Sequence, residues 1–269
     1  MSELTPKVVR TSTLATFKSE GRKFSCLTSY DSITSAIFDE AGIEVLLVGD
    51  SAADNALGYS TTLPITVDEM IPFGRAVASA AKRALVVVDL PFGSYETSPA
   101  DALATAIRVM KATGAQAVKL EGGVRSAEAI KAIVTAGIPV MGHIGFTPQS
   151  VHSLGGFKVQ GRGDGAATLL EDARAVEAAG AFAVVLELVP ADLAEEVTHE
   201  LSIATIGIGA GNSTDGQILV WTDFAGMHAG PARKFVRKYA ELREQLLNAA
   251  RNYRDDVASG DFPNKDEGF

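Results

Sequence analysis

The sequence predicts an α/β protein of one domain, a (β/α)8 barrel over 1–269 with an N-terminal arm (1–22) and a long C-terminal helix and tail (230–269). Three observations predict it. Eight Val/Ile/Leu-rich runs recur near 24–30, 44–50, 84–89, 116–121, 138–143, 182–187, 203–208 and 218–221; apolar runs of this kind are strands covered on both faces. Ala-rich amphipathic segments fall between most of them, at 32–42, 67–82, 99–114, 125–137, 165–180 and 191–200, and such alternation builds βαβ units on a parallel sheet. Five of the runs end in an ionisable residue, at Asp50, Asp89, Lys119 with Glu121, His143 and Glu187. In parallel α/β folds the carboxyl ends of the strands form the rim on which active sites are built.

Taken in order, the arm is polar and Ser/Thr-rich, with one short helix expected around 12–19. Gly42, Gly114, Gly137 and Gly180 each stand where a helix should stop, a position that favours left-handed backbone. Thr147-Pro148 offers an N-cap followed by proline at the first helical position. The connection 209–217 between the seventh and eighth strands is too short for a full helix, so an open doubly wound sheet is the alternative topology. Ala232, Phe235, Val236, Tyr239, Leu242, Leu246 and Leu247 recur at helical spacing and predict a helix over 230–258.

Composition narrows the class. With 46% hydrophobic and 21% charged residues, the chain is an ordinary globular protein. A net charge of −9 without a basic block argues against nucleic-acid and anionic-membrane partners. The one cysteine, Cys26, lies in the apolar run FSCL and reads as a buried structural thiol in a reducing compartment. The N-terminus lacks the apolar core of a signal peptide, and no apolar run approaches the roughly 20 residues that span a bilayer. The expected location is cytoplasmic.

Alternation puts Lys119 and Glu121 on one strand face, opposite Val118 and Leu120. The plain alternative is an internal ion pair serving structure alone. Asp50 and Asp89 each end a strand, where a lone Asp is more often a cap or turn former; Ser51 and Asp54 are also credible caps. Three carboxylates gathered on one partly dry rim repel, so one takes up a proton or a cation neutralises them. Hard oxygen donors without cysteine favour Mg²⁺ or Mn²⁺ over zinc. Glu187, in VVLELVP, has apolar neighbours that should raise its pKa, as suits a general base; pairing with Lys119 or Arg162 is the alternative. His143 reads as a metal ligand, a proton shuttle or a hydrogen-bonded core histidine, the last being the commonest fate of a strand histidine. His152 lies in a loop and carries no catalytic expectation. GIGAG (207–211) is a weak phosphate signal and reads equally as a tight barrel turn.

Read together, the segments resemble the ketopantoate hydroxymethyltransferase (3-methyl-2-oxobutanoate hydroxymethyltransferase) family. The resemblance runs through LTSYD (27–31), VGDS (48–51), TTLP (61–64), DLPF (89–92), VKLEGG (118–123), GHIGFTPQSV (142–151), GGFKVQGRG (155–163), LELVP (186–190), IGIGAG (206–211) and DGQILV (215–220). FTPQSV and KVQGRG have no explanation in generic barrel needs. The resemblance implies a (β/α)8 barrel, Mg²⁺, and 5,10-methylenetetrahydrofolate as one-carbon donor to 3-methyl-2-oxobutanoate, giving 2-dehydropantoate for pantothenate synthesis. It implies Asp50 and Asp89 as metal ligands, with Glu121 completing the metal site directly or through water. It also implies that Ser51 and Lys119, with Asp50 and Asp89, bind the oxoacid, that Glu187 is the proton acceptor, and that the chain assembles as a homodecamer. Gly58-Tyr59-Ser60 and the tail DEGF depart from the family's pattern, so no role is carried over to the 52–60 loop or the tail. The loop 145–163 is expected to form part of the folate pocket. Two rival readings are a Mg²⁺-dependent 2-oxo acid lyase or mutase of the phosphoenolpyruvate/isocitrate lyase type, and a non-catalytic oxoacid-binding barrel.

Overall fold

Eight parallel strands close into a barrel in sequence order, β1 pairing with β8, in a computed structural model whose described residues are 8–269. Residues 1–7 of the expected arm lie outside them. The strands are β1 (Phe24–Thr28), β2 (Val45–Val48), β3 (Leu85–Asp89), β4 (Ala117–Glu121), β5 (Val140–Gly145), β6 (Ala183–Glu187), β7 (Ala204–Ile208) and β8 (Gly216–Leu219). Closure excludes the open doubly wound alternative. The loop between β7 and β8 carries no helix, as its length requires, yet Phe24↔Gly216 and Ile206↔Gly216 still pair across the seam.

Helix α1 (Thr11–Ser19) precedes the barrel, and α2 (Ser32–Glu40) follows β1. A short α3 (Ala52–Asn55) and then α4 (Val67–Ala80) connect β2 to β3. Helices α5 (Pro99–Thr113), α6 (Ala127–Thr135), α7 (Gly165–Ala178) and α8 (Ala191–Glu200) follow β3, β4, β5 and β6. Their starts are chemically marked. The Asp31 carboxylate accepts from the backbone N–H groups of Ile33 and Thr34, and Thr66 with Glu69 closes a capping box on α4. Ser98 caps α5 with Pro99 at its first position. Gly114 takes the left-handed conformation that ends α5, at φ 79°. The Thr147 side chain, by contrast, caps nothing: Pro148–Ser150 is a single 3-10 turn, because the segment is held to the rim by its side chains, as described below.

Side-chain alternation divides each strand. The inner face is apolar in its lower layers, where Cys26, Val45, Leu47, Leu85, Val87, Ala117, Met141, Ala183, Val185, Ala204, Ile206 and Ile218 pack together. Leu14 and Phe17 of α1 join this cluster and floor the barrel, the Phe17 ring lying 6.3 Å from that of Phe24. Cys26 is buried there, and burial, then the nearby Glu44 carboxylate, push its thiol well above the ordinary range. It is a structural residue.

By its internal contacts the chain divides into two compact units, Met1–Val220 and Trp221–Phe269. The second holds α9 (Trp221–Phe224) and α10 (Leu242–Ser259). The helix expected over 230–258 therefore starts at Leu242. Gly230-Pro231 breaks any earlier start, and the chain then returns along α9: the Tyr239 N–H donates to Phe224 O at 2.8 Å, and their rings lie 5.5 Å apart. Among the described residues no helix is long and apolar enough to cross a membrane.

Candidate active site

Register brings the strand-ending charges together. Asp89 on β3 stands beside Lys119 on β4, Glu121 beside His143 on β5, and Gly145 beside Glu187 on β6. Each of these five charged residues shares strand parity with an inner-layer neighbour (Val87, Ala117, Met141 or Val185), so all point into the mouth above the apolar layers. Asp50 lies just past β2 and enters from the turn. Asp50, Asp89, Lys119, Glu121, His143 and Glu187 are all buried.

One side of the mouth is built on the two aspartates. The Asp50 backbone N–H donates to Asp89 Oδ2 at 3.0 Å, which ties the turn after β2 to the end of β3. Lys119 Nζ lies 3.0 Å from Asp89 Oδ1. A Cβ at Gly49 would lie 2.7 Å from Ser51 Oγ, so a side chain there would displace the Ser51 hydroxyl. Ser51 caps no helix; its hydroxyl pairs with Tyr30 OH at 2.8 Å. Gln149, from FTPQSV, reaches across to donate from Nε2 to Asp50 Oδ2 at 2.9 Å, and its backbone N–H donates to Glu121 Oε2 at 3.0 Å.

On the other side a histidine stands between two glutamates. His143 Nδ1 lies 3.3 Å from Glu121 Oε1 and 3.2 Å from Lys119 Nζ, while Nε2 lies 3.3 Å from Glu187 Oε2. Glu187 thus faces His143, not Lys119 or Arg162. Immediately after it, Leu188 takes φ 50°, a left-handed conformation costing roughly 1–2 kcal/mol for a side-chain-bearing residue. The bend is held from several sides: Leu188 N–H donates to Ile208 O, Gln160 N–H to Leu188 O, and Phe146 N–H to Glu187 O. Gly145, at φ 88°, admits that last contact, since a Cβ there would collide with Glu187 O. KVQGRG contributes through Gln160, so the loop after β5 braces the carboxylate at the end of β6.

The electrostatics follow from burial. Asp50 is pushed up to about 8, first by burial and then by the charges of Asp89 and Glu121, against the opposing pull of Lys119 and Gln149. Asp89 is raised as well, by burial, although Lys119 pulls it back. For Lys119 burial opposes the charge, but Asp89, Glu121 and Asp50 overcome it and raise the ammonium's pKa. His143 is pushed down by burial and by Lys119, yet hydrogen bonds to Glu121 and Glu187 lift it to about 9.

Asp89 Oδ1 and Glu121 Oε1 are buried without a well-formed hydrogen bond, although each has a cationic neighbour. Among the described residues none of the hydrogen bonds reaches Asp50 Oδ1. Hard oxygens with spare lone pairs fit a hard divalent cation. Even so, no three His, Cys, Asp or Glu side chains among the described residues stand in a ready-made ligand set. Asp89 is engaged by Lys119 and the Asp50 N–H, Asp50 by Gln149, and Glu121 by His143 and Gln149.

The candidate site residues Asp50, Ser51, Asp89, Lys119, Glu121, His143 and Glu187 all come to this rim or its turns. Sequence reasoning missed Tyr30, Tyr95 and Gln149, and left His143 unassigned. The unexplained motif FTPQSV was the available signal for Gln149; nothing local marked the tyrosines.

The shifts set a pH dependence for the metal-free protein. An unfolded Asp titrates near ~3.9 and an unfolded His near ~6.5. Asp50 at about 8 and His143 at about 9 therefore make the native state bind more protons than the unfolded chain through neutral pH. Stability falls with rising pH wherever that holds. The His143 contribution is full below ~6.5 and is lost as pH rises through about 9. In the presence of a chelator the melting temperature should drop between about pH 6.5 and about pH 9, and Asp50→Asn should flatten the slope. A melting temperature that is level or rises over that range would contradict the assignment.

The structure is similar to phosphonopyruvate hydrolase (TM-score 0.63, 12% identity, covering 97% of this chain and 93% of that one). It is also similar to 2,3-dimethylmalate lyase, a member of the PEP mutase/isocitrate lyase superfamily (TM-score 0.60, 15% identity, 97% and 92%). Identities this low carry the barrel fold alone. The sequence is 65% identical over 264 residues to the 3-methyl-2-oxobutanoate hydroxymethyltransferase of Leifsonia xyli subsp. xyli, covering 98% of this chain and 95% of that protein. It is 62% identical to the enzyme of the same name from Corynebacterium efficiens over the full length of both. The ketopantoate hydroxymethyltransferase family model matches residues 8–265. With that match across nearly the whole chain, the protein belongs to the ketopantoate hydroxymethyltransferase family.

Proposed function

We propose that the family's hydroxymethyl transfer runs in this protein through Glu187 as proton acceptor, with Asp50, Ser51, Asp89 and Lys119 holding the oxoacid and Asp50 and Asp89 holding the metal. Membership of the family makes the protein a hydroxymethyltransferase, converting 3-methyl-2-oxobutanoate to 2-dehydropantoate in pantothenate synthesis. The observation that carries the proposed roles is the arrangement of the mouth. Aspartates and a lysine gather on one side, and a glutamate held by a histidine stands on the other.

The chemistry requires a base for the C3 proton of the oxoacid and positive charge where the enolate oxygen develops. A Mg²⁺ ion held by Asp50 and Asp89 would supply electrostatic stabilisation of that oxygen. Lys119, anchored on Asp89, directs its ammonium at the same region and favours the oxoacid's carboxylate and keto oxygens. The Ser51 hydroxyl, oriented by Tyr30, offers a hydrogen bond to that carboxylate. Glu121 would complete the metal site through water. Glu187 takes the proton from C3 and keeps it, while the His143 ring fixes the carboxylate's position. The C3 carbanion equivalent then forms the new C–C bond to the one-carbon unit of 5,10-methylenetetrahydrofolate. One water is consumed overall; its oxygen becomes the new hydroxyl, and tetrahydrofolate leaves. The loop 145–163, which braces Glu187 through Phe146 and Gln160, is the segment proposed to border the folate.

The homodecamer belongs to the same proposal. Helix α10 buries none of its residues within one chain and leaves Leu246, Tyr253 and Val257 exposed, which supports a further subunit against it. Sedimentation equilibrium reads the mass: about ten chains supports the proposal, and a monomer refutes it.

Glu187→Gln should bind Mg²⁺ as the native protein does yet lose deuterium exchange at C3 of 3-methyl-2-oxobutanoate by about 100-fold or more. Exchange followed by NMR without folate isolates this step; unchanged exchange would remove Glu187 as the base.

A further inference from the structure

We propose that Gln149 is a positioning residue for the metal site, fixing Asp50 so that only its Oδ1 is presented to the cation. The inference rests on the reading above that Asp50 holds the metal, and it gives FTPQSV the function that barrel architecture does not.

Gln149 is buried and uses its whole amide. Nε2 donates to Asp50 Oδ2 at 2.9 Å and to Leu90 O at 3.1 Å, while Oε1 accepts from Tyr95 OH at 2.5 Å. The orientation is chemically unambiguous. Leu90 O, facing Nε2, carries no hydrogen and can only accept, and the group facing Oε1 is a hydroxyl. Burial raises the Tyr95 phenol far above its ordinary range, so it remains a donor. Tyr95 is itself held at Glu121, whose backbone N–H donates to the phenol oxygen at 3.2 Å. The Gln149 backbone N–H donates to Glu121 Oε2. One residue therefore ties the first carboxylate of the rim to the third.

This tie has a direct consequence for Asp50. A carboxylate free to rotate beside Asp89 and Glu121 would present either oxygen, or turn away from its neighbours' charge. With Oδ2 committed to Gln149 and the backbone N–H committed to Asp89, one oxygen remains for a ligand. Partners that orient a ligating side chain in this way typically contribute about 10–100-fold to metal affinity.

The test measures binding of Mn²⁺ alone, by the loss of its free-ion EPR signal, to full-length Gln149→Leu, Tyr95→Phe and Asp50→Ala proteins. Gln149→Leu should weaken Mn²⁺ binding about 10–100-fold, and Tyr95→Phe should weaken it less, in the same direction. Saturating Mn²⁺ should return C3 exchange in Gln149→Leu to near the native rate, because the glutamine does not touch the reacting atoms. If Gln149→Leu fails to fold, Tyr95→Phe decides alone. Native affinity in both variants, with affinity lost in Asp50→Ala, overturns the positioning role while leaving the metal assignment standing. Native affinity in Asp50→Ala removes that assignment, and the inference with it.

Discussion

Four carboxylates, Asp50, Asp89, Glu121 and Glu187, are buried in one barrel mouth against two cationic groups, Lys119 and His143. The rest of the structure answers that imbalance. A buried, uncompensated carboxylate is costly enough to hold a proton rather than ionise, and Asp50 does so at about 8. A divalent cation converts the same imbalance into binding energy. The groups are spaced so that the compensation is local: Lys119 on Asp89, His143 between Glu121 and Glu187, and the Gln149 amide on Asp50. What is left over is negative charge on the aspartate side, which a divalent cation would neutralise.

The barrel makes this possible by separating stability from chemistry along the strand axis. Below the rim the inner faces carry only Val, Leu, Ile, Ala, Met, Phe and Cys, floored by Leu14 and Phe17. That dry layer holds the strand ends in fixed register, and register alone puts Asp89 beside Lys119 and Glu121 beside His143. Strain is confined to the exit of β6, where Leu188 bends left-handed directly behind Glu187. Hydrogen bonds from Phe146 and Gln160 over-determine that bend, so the Glu187 carboxylate is fixed by backbone as well as by His143.

How much of this the sequence disclosed depends on the range of the interaction. Period-two alternation within a strand put Lys119 and Glu121 on one inner face, and the alternation of strands and helices gave the barrel. Those are local patterns. The pairings that matter chemically are not local: Gln149 lies 99 residues from Asp50, and Tyr95 lies 54 from Gln149. Only register and loop return bring them together, so no spacing rule could find them. His143 was visible but unreadable for the same reason, since its two partners come from different strands. The C-terminal helix failed differently. Its apolar spacing continues back to Ala232, but Gly230-Pro231 and the pairing of Tyr239 with Phe224 hold 231–241 in a non-helical return.

The central claim is that buried carboxylates hold a proton until a cation replaces it. Titration calorimetry of Mg²⁺ into the native protein tests this most directly, near pH ~7 and in buffers of different ionisation enthalpy. With Asp50 at about 8, the metal-free protein carries its proton at that pH. Binding should therefore release close to one proton per Mg²⁺, falling as pH rises through about 8, and Asp50→Asn should abolish the release. Mg²⁺ binding with no proton release at neutral pH would contradict the account.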